Sequence, residues 1–136
     1  MARIILMNVE NYIGIPYVSM GRTLDGFDCW GLILHAAQNL YSTTLPDYSD
    51  YRDSDNMKET SPLFTAREDW IRVPKGAELP GDVIVMRLHG LPMHAALYLG
   101  EGRFLHTLTG RDSCVERVSS SGWSTRIEGV YRWQQH

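Results

Sequence analysis

The stretch Gly26-Phe27-Asp28-Cys29-Trp30-Gly31-Leu32 marks a change from loop to helix. Asp28 suits an N-cap, because its carboxylate accepts from the free N–H groups of a first turn. From Cys29 onward the apolar residues Cys29, Leu32, Ile33, Ala36, Ala37 and Leu40 recur at helical spacing, which predicts a helix to about Tyr41 with this stripe buried. Cys29 then lies in the first turn, where the helix dipole favours thiolate over thiol. A cysteine in that place is by itself a small buried hydrophobe as readily as a nucleophile. Nucleophilic chemistry requires a base from elsewhere in the chain.

Upstream, Ile4 to Tyr12 has a helical apolar side, Gly14 ends it and Pro16 blocks continuation. Pro16-Tyr17-Val18 is expected to be extended, and Ser19 to Gly26 a loop. Downstream, Ser42 to Pro62 carries Asp47, Asp50, Asp53, Asp55 and Glu59 among tyrosines and basic residues. It lacks the glycine and closing glutamate of an EF-hand loop, so a solvated surface connection is expected over a calcium site. Leu63 to Trp70 is expected as a short helix, broken by Val73-Pro74-Lys75-Gly76.

After Pro80-Gly81-Asp82 the pattern changes. Val83 to Leu88 is apolar enough for a strand buried on both faces. A turn at His89-Gly90-Leu91-Pro92 leads to strands over Met93 to Leu99 and Arg103 to Leu108, joined by Gly100-Glu101-Gly102. Weaker strand character follows at Val115 to Val118, and Ile127 to Trp133 is the last strand. Helices followed by consecutive antiparallel strands predict an α+β fold, with N-terminal helices packed on one side of a C-terminal antiparallel sheet. At 136 residues, one domain over residues 1–136 is expected.

A net charge of −3 and the lack of a Lys/Arg-rich run argue against nucleic acid, and no apolar run reaches membrane-spanning length. Met1 to Met7 has one basic residue and too short an apolar stretch for a secretory signal, so synthesis in a cytoplasm is expected. Two cysteines make no disulfide framework, and a Cys29–Cys114 bridge is not expected in a reducing compartment.

Five histidines are candidate bases. His136 is terminal. His35 falls on the helix face away from the apolar stripe and is expected to be solvated, and His89 is expected in an exposed turn. His94 and His106 differ because a hairpin relates them. A three-residue loop at Gly100-Glu101-Gly102 sets Leu99 opposite Arg103 and Ala96 opposite His106. His94 and His106 are then diagonal neighbours on one face, as suits a base and its orienting partner. A two- or four-residue loop puts them on opposite faces. Periodicity alone equally allows two partly buried sheet histidines with ordinary hydrogen bonds. Zinc is the rival use of Cys29, His94, His106 and Cys114, but the short paired spacings of such sites are missing. A serine triad has no Gly-x-Ser-x-Gly elbow.

Gly14-Ile15-Pro16-Tyr17-Val18, Phe27-Asp28-Cys29-Trp30-Gly31-Leu32, Pro80-Gly81-Asp82-Val83, His94-Ala95-Ala96-Leu97-Tyr98-Leu99-Gly100 and Arg103-Phe104-Leu105-His106 occur in that order. Over nearly the whole chain this set resembles the NlpC/P60 cysteine peptidases, which implies a papain-like fold. The resemblance implies Cys29 as nucleophile, His94 as base and His106 as the orienting third residue. Tyr17 matches a family tyrosine whose hydroxyl lies near the oxyanion site, though it also suits an aromatic anchor behind Pro16. Asp28 looks structural, and Cys114 matches no family position. No metal or cofactor is implied.

The family usually has serine after the nucleophile, where this chain has Trp30. That change, Leu45-Pro46-Asp47-Tyr48 after the helix, and the ending Glu128-Gly129-Val130-Tyr131-Arg132-Trp133 resemble the phage tail branch. The resemblance implies hydrolysis of peptidoglycan stem peptides next to D-glutamate and diaminopimelate, for local wall opening or tail assembly. Peptidoglycan peptides and other tail proteins are the implied partners, and the virion tail the implied location, acting in the periplasm or wall after synthesis in the host cytoplasm. Larger tail proteins of this type often carry an extra metalloprotease-like domain, and this chain resembles the peptidase domain alone. An inactive structural tail component and a papain-like acyltransferase or amidase are the alternatives. Trp30 and the segment after Leu45 suit either a substrate groove or a docking surface.

Overall fold

Asp28 caps the helix. Its backbone is extended and its carboxylate accepts from Gly31 N–H at 2.7 Å, starting α1 (Cys29–Tyr41). The computed structural model describes residues 7–48, 69–88, 91–120 and 122–134. The helix ends at Ser42 in the left-handed region (φ 53°). Leu32, Ile33, Ala36 and Ala37 are buried, as the apolar stripe predicts.

The helix start is packed tightly against the preceding loop. A Cβ on Gly31 would lie 2.0 Å from the Gly21 carbonyl oxygen, so only glycine permits this approach. Arg22 ties the same corner together, donating to Asp28 at 2.9 Å and to Asp47 at 3.0 Å. The loop expected between Ser19 and Gly26 holds a small antiparallel ribbon, β1 (Arg22–Thr23) and β2 (Gly26–Phe27).

The helix expected over Ile4 to Tyr12 is replaced, in its described part, by one 3-10 turn at Val9–Tyr12. Residues 1–6 lie outside the described residues. The turn cannot lengthen at its far end. Gly14 takes φ +83° and gives its N–H to Ser113 O, and Ile15 N–H goes to Ser113 Oγ, which turns the chain into an extended path.

The main sheet comprises β3 (Trp70–Arg72), β4 (Val83–Leu88), β5 (Leu91–Gly100), β6 (Arg103–His106), β7 (Cys114–Arg117) and β8 (Ile127–Trp133). Their spatial order is β3-β8-β4-β5-β6-β7, and each neighbouring pair is antiparallel. Alternation along the strands buries both faces. Val83, Val85, Ala95, Leu97 and Leu105 share a cluster with α1. Ile84, Met86, Ala96 and Phe104 share the opposite cluster with Trp123, from a second 3-10 turn at Trp123–Arg126. This is the α+β arrangement expected, with a single α-helix among the described residues.

Several boundaries differ from expectation. Trp70 lies in β3, not at the end of a helix, and residues 63–68 lie outside the described residues. Leu91 and Pro92 belong to β5 instead of a turn, while His89 and Gly90 lie outside the described residues. The strand expected to reach Leu108 stops at His106. Of the expected 42–62 connection, residues 42–48 are described and form no regular element. No helix among the described residues is long and apolar enough to cross a membrane.

Candidate active site

The hairpin that relates the two histidines closes differently from the expected three-residue loop. Gly100 pairs with Arg103 across a two-residue turn, Glu101-Gly102, both at positive φ. Such a turn alone would put the histidines on opposite faces. A register shift between Tyr98 and Gly100 restores the parity, so that Tyr98 pairs with Phe104 and Leu97 with Leu105, as in the expected register. His94 and His106 therefore share a face, and His94 Nε2 lies 2.8 Å from His106 Nδ1.

The pair is buried, with His94 3% and His106 1% exposed. Phe104 and Trp123 enclose it, the Trp123 ring standing perpendicular to His106 at 5.3 Å. On the far side, His106 Nε2 meets Glu116 Oε2 at 2.5 Å. Trp123 Nε1 donates to the same oxygen at 3.1 Å. An indole only donates, so Oε2 is an acceptor, and His106 Nε2 carries the proton that points at it. His106 Nδ1 is then a lone pair, which takes the proton of His94 Nε2. His94 Nδ1 is left unprotonated, as a base must be.

Cys29 meets β5 beside His94. Tyr98 N–H points toward β4, donating to Asp82 O. Alternation turns Ala95 N–H the other way, toward β6. The β5–β6 pairing has ended before Ala95, at Leu97 and Leu105, so the ladder leaves that N–H unused. The Cys29 sulfur takes it and also receives Trp30 N–H. Residues 94 and 95 have Cα atoms about 3.8 Å apart, so the thiol meets β5 one residue along from His94.

The electrostatics act against the helix-dipole preference for thiolate. Burial pushes the Cys29 thiol up to about 12, the Asp28 carboxylate adds to this, and the two N–H donors and Arg22 only partly oppose it. Burial and the neighbouring His106 hold His94 down to about 3. Burial also lowers His106, against the pull of Glu116. Desolvation outweighs the helix dipole here and favours the neutral thiol and the neutral imidazole.

Tyr17 bridges Phe27 in parallel, two residues before Cys29, which places its backbone beside the helix start. His35 is not solvated as expected. Its Nδ1 lies 2.7 Å from the Tyr12 hydroxyl, because the 3-10 turn packs Tyr12 over that helix face. Both cysteines are free thiols. A groove lined by Arg72, Lys75, Glu78, Val118 and Glu128 contains none of Cys29, His94 or His106.

The NlpC/P60 family model matches residues 14–132. The chain belongs to the NlpC/P60 family. Among curated relatives it is 28% identical to a Bacillus subtilis gamma-DL-glutamyl hydrolase over 95% of the chain and 29% of that protein. It is 28% identical to the probable endopeptidase YafL of Escherichia coli, over 91% of the chain and 47% of that protein. It is also 28% identical to the tail tip assembly protein K of phage lambda, over 91% of the chain and 63% of that protein. The chain thus spans less than two thirds of the length of each of these relatives. In fold it is similar to an NlpC/P60 family protein from Bacillus cereus, with a TM-score of 0.68 at 23% identity, covering 91% of this chain and 37% of that one. It is likewise similar to the NlpC/P60 domain of the peptidoglycan hydrolase SagA, with a TM-score of 0.60 at 22% identity, covering 90% and 91%.

In this NlpC/P60 chain Trp30 is a core residue. It is 3% exposed, donates to Pro46 O at 2.9 Å, and packs against Tyr48 and Trp70. The Leu45–Tyr48 stretch is therefore fastened to the helix by Trp30 and by the Arg22–Asp47 pair. Sequence reasoning missed Glu116 and Trp123. One signal was available for Glu116: it lies across the β6–β7 pair from the histidine strand, two residues along from Cys114, which pairs with His106. Among the described residues, the His, Cys and carboxylate donor atoms of His106, Cys114 and Glu116 lie within 4.8 Å of one another.

Proposed function

We propose that this protein is a cysteine endopeptidase that hydrolyses peptidoglycan stem peptides at a bond of the D-glutamate–diaminopimelate type, as part of a phage tail. The single observation that carries the chemistry is the ordered chain Glu116–His106–His94, which leaves Nδ1 of His94 unprotonated one residue along β5 from the Ala95 N–H that the Cys29 sulfur accepts. Because burial favours the neutral thiol and the neutral imidazole, His94 acts as a general base during attack instead of holding a preformed ion pair.

Cys29 Sγ bonds to the scissile carbonyl carbon as its proton passes to His94 Nδ1. The oxyanion is held by the Cys29 backbone N–H, which has no partner within the helix, with Tyr17 as the second donor. His94 returns the proton to the leaving amine, and water, deprotonated by the same nitrogen, hydrolyses the thioester. This sequence needs no metal. A single peptidase domain over residues 1–136 suffices for it.

The substrate reading is supported by the relative named for glutamyl hydrolysis and by the solved peptidoglycan hydrolase domain. The tail reading, with other tail proteins as partners and the virion tail as location, is supported by the lambda tail tip assembly protein. A structural tail component without activity is the second reading, favoured by the burial of Cys29 at 5% exposure. Digestion of purified muropeptides by wild type and Cys29→Ala separates them. Two hydrolysis products from wild type alone are expected. Equal turnover by both removes Cys29 as nucleophile, and no turnover by either moves the assignment to the structural component. A single product carrying a transferred acyl group would indicate the acyltransferase chemistry.

A further inference from the structure

We propose that His106, Cys114 and Glu116 form a site for a zinc-type divalent cation, whose binding reverses the proton order of the His94–His106 pair and switches the base off. Cys114 pairs directly with His106 across β6 and β7, and Glu116 follows two residues along β7, so all three side chains share one face. A nitrogen, a sulfur and a carboxylate oxygen lie within 4.8 Å of one another. Zinc bonds to such donors are roughly 2.0–2.3 Å long, so one ion can bridge the three with small side-chain movements. Strand β7 is the edge of the sheet and Glu116 is 25% exposed, which leaves an approach and room for water as a fourth ligand. Imidazole, thiolate and carboxylate together favour zinc-like ions over calcium or magnesium. The charge of Arg111 acts on both His106 and Cys114 and opposes a cation.

The consequence follows from proton counting. Before binding, His106 and His94 each carry a proton on Nε2. The ion takes the His106 Nε2 lone pair and the Cys114 sulfur, whose proton goes to solvent. The His106 proton then resides on Nδ1, which donates to His94 Nε2. The His94 proton resides on Nδ1, the atom that would accept from Cys29. Both imidazoles stay neutral, but the base has become a donor. This effect on catalysis rests on the proposed function, whereas the binding site does not.

The test uses the full chain. Titration with cobalt(II) should give a thiolate-to-metal band at one equivalent in wild type and in Cys29→Ala, and none in Cys114→Ser. Loss of a ligand should weaken binding by more than the roughly 10- to 100-fold that follows loss of an outer hydrogen-bond partner. Arg111→Ala should bind more tightly than wild type. Long-range proton–nitrogen spectra of the imidazoles should move the His94 proton from Nε2 to Nδ1 on adding zinc(II). Zinc should inhibit muropeptide hydrolysis by wild type but not by Cys114→Ser, which keeps its basal activity. A band that survives Cys114→Ser, or vanishes in Cys29→Ala, overturns the site. An unchanged His94 tautomer at saturating zinc overturns the switch. Absent hydrolysis without metal would count against the proposed function alone, because the cobalt and imidazole readouts do not need turnover.

Discussion

His106 stands between two partners, its Nδ1 2.8 Å from His94 Nε2 and its Nε2 2.5 Å from Glu116 Oε2, and this sandwich sets where every proton in the chain sits. Replacing Glu116 tests the arrangement. A single oxygen, Oε2, accepts from both His106 and Trp123, and a glutamine oxygen can do the same. Glu116→Gln should keep most activity, while Glu116→Ala should lower kcat by about 10²-fold with little change in KM, at the lower end of general-base contributions. The paired kinetics, with glutamine rescuing alanine, distinguish positioning from simple loss of packing. Equal losses in the two variants would count against the proton order.

The Cys29 thiol, pushed up to about 12 by burial and by Asp28, should alkylate slowly with iodoacetamide at neutral pH and faster as pH rises. Asp28→Asn keeps an acceptor for Gly31 N–H, since asparagine caps as well as aspartate. It removes the negative charge beside the thiol, so alkylation at fixed pH should quicken. An unchanged rate would assign the whole elevation to burial.

His94 also links stability to pH. Its folded value, about 3, lies below the ordinary 6.5. The unfolded chain therefore binds a proton that the folded chain refuses, and stability should fall as pH drops from about 6.5 toward 3. His94→Gln removes this linkage, so the acid limb of a plot of unfolding midpoint against pH should flatten. A limb as steep as wild type would place the linkage on other groups.

Gly31→Ala pits two effects against each other. Alanine favours a helix over glycine by roughly 1 kcal/mol. Its Cβ would meet the Gly21 carbonyl oxygen at 2.0 Å, a backbone contact that a side-chain rotation cannot relieve. Overpacking of this kind costs about 1–3 kcal/mol or more, so the variant should be less stable in chemical denaturation. Because the strain falls on the first turn of α1, activity should fall as well.

The physics of nearest neighbours decided the parts that were legible without coordinates. Asp28 caps and Cys29 begins the helix because capping and apolar period are local properties of residues 28–41. Val83–Leu88 forms a strand, buried on both faces over Val83–Met86, because its own side chains demand it. Ile127–Trp133 was likewise clear from the anchors Val130, Tyr131 and Trp133. The 3-10 turn at Val9–Tyr12 was not, since Ser113, a hundred residues downstream, redirects that chain. The environment of His35 is not local either, because its partner Tyr12 comes from another element.

The sequence by itself determined the fold class and the helix that carries Cys29. Only the tertiary structure decided how the parity survives a two-residue turn, that burial favours the protonated thiol, and that Glu116 orders the histidines. Those outcomes depend on a bulge, on burial and on partners brought from β7, none of which a local spacing encodes. Desolvation in particular is a property of everything packed around Cys29, and it outweighs the helix dipole that the sequence alone brought into view.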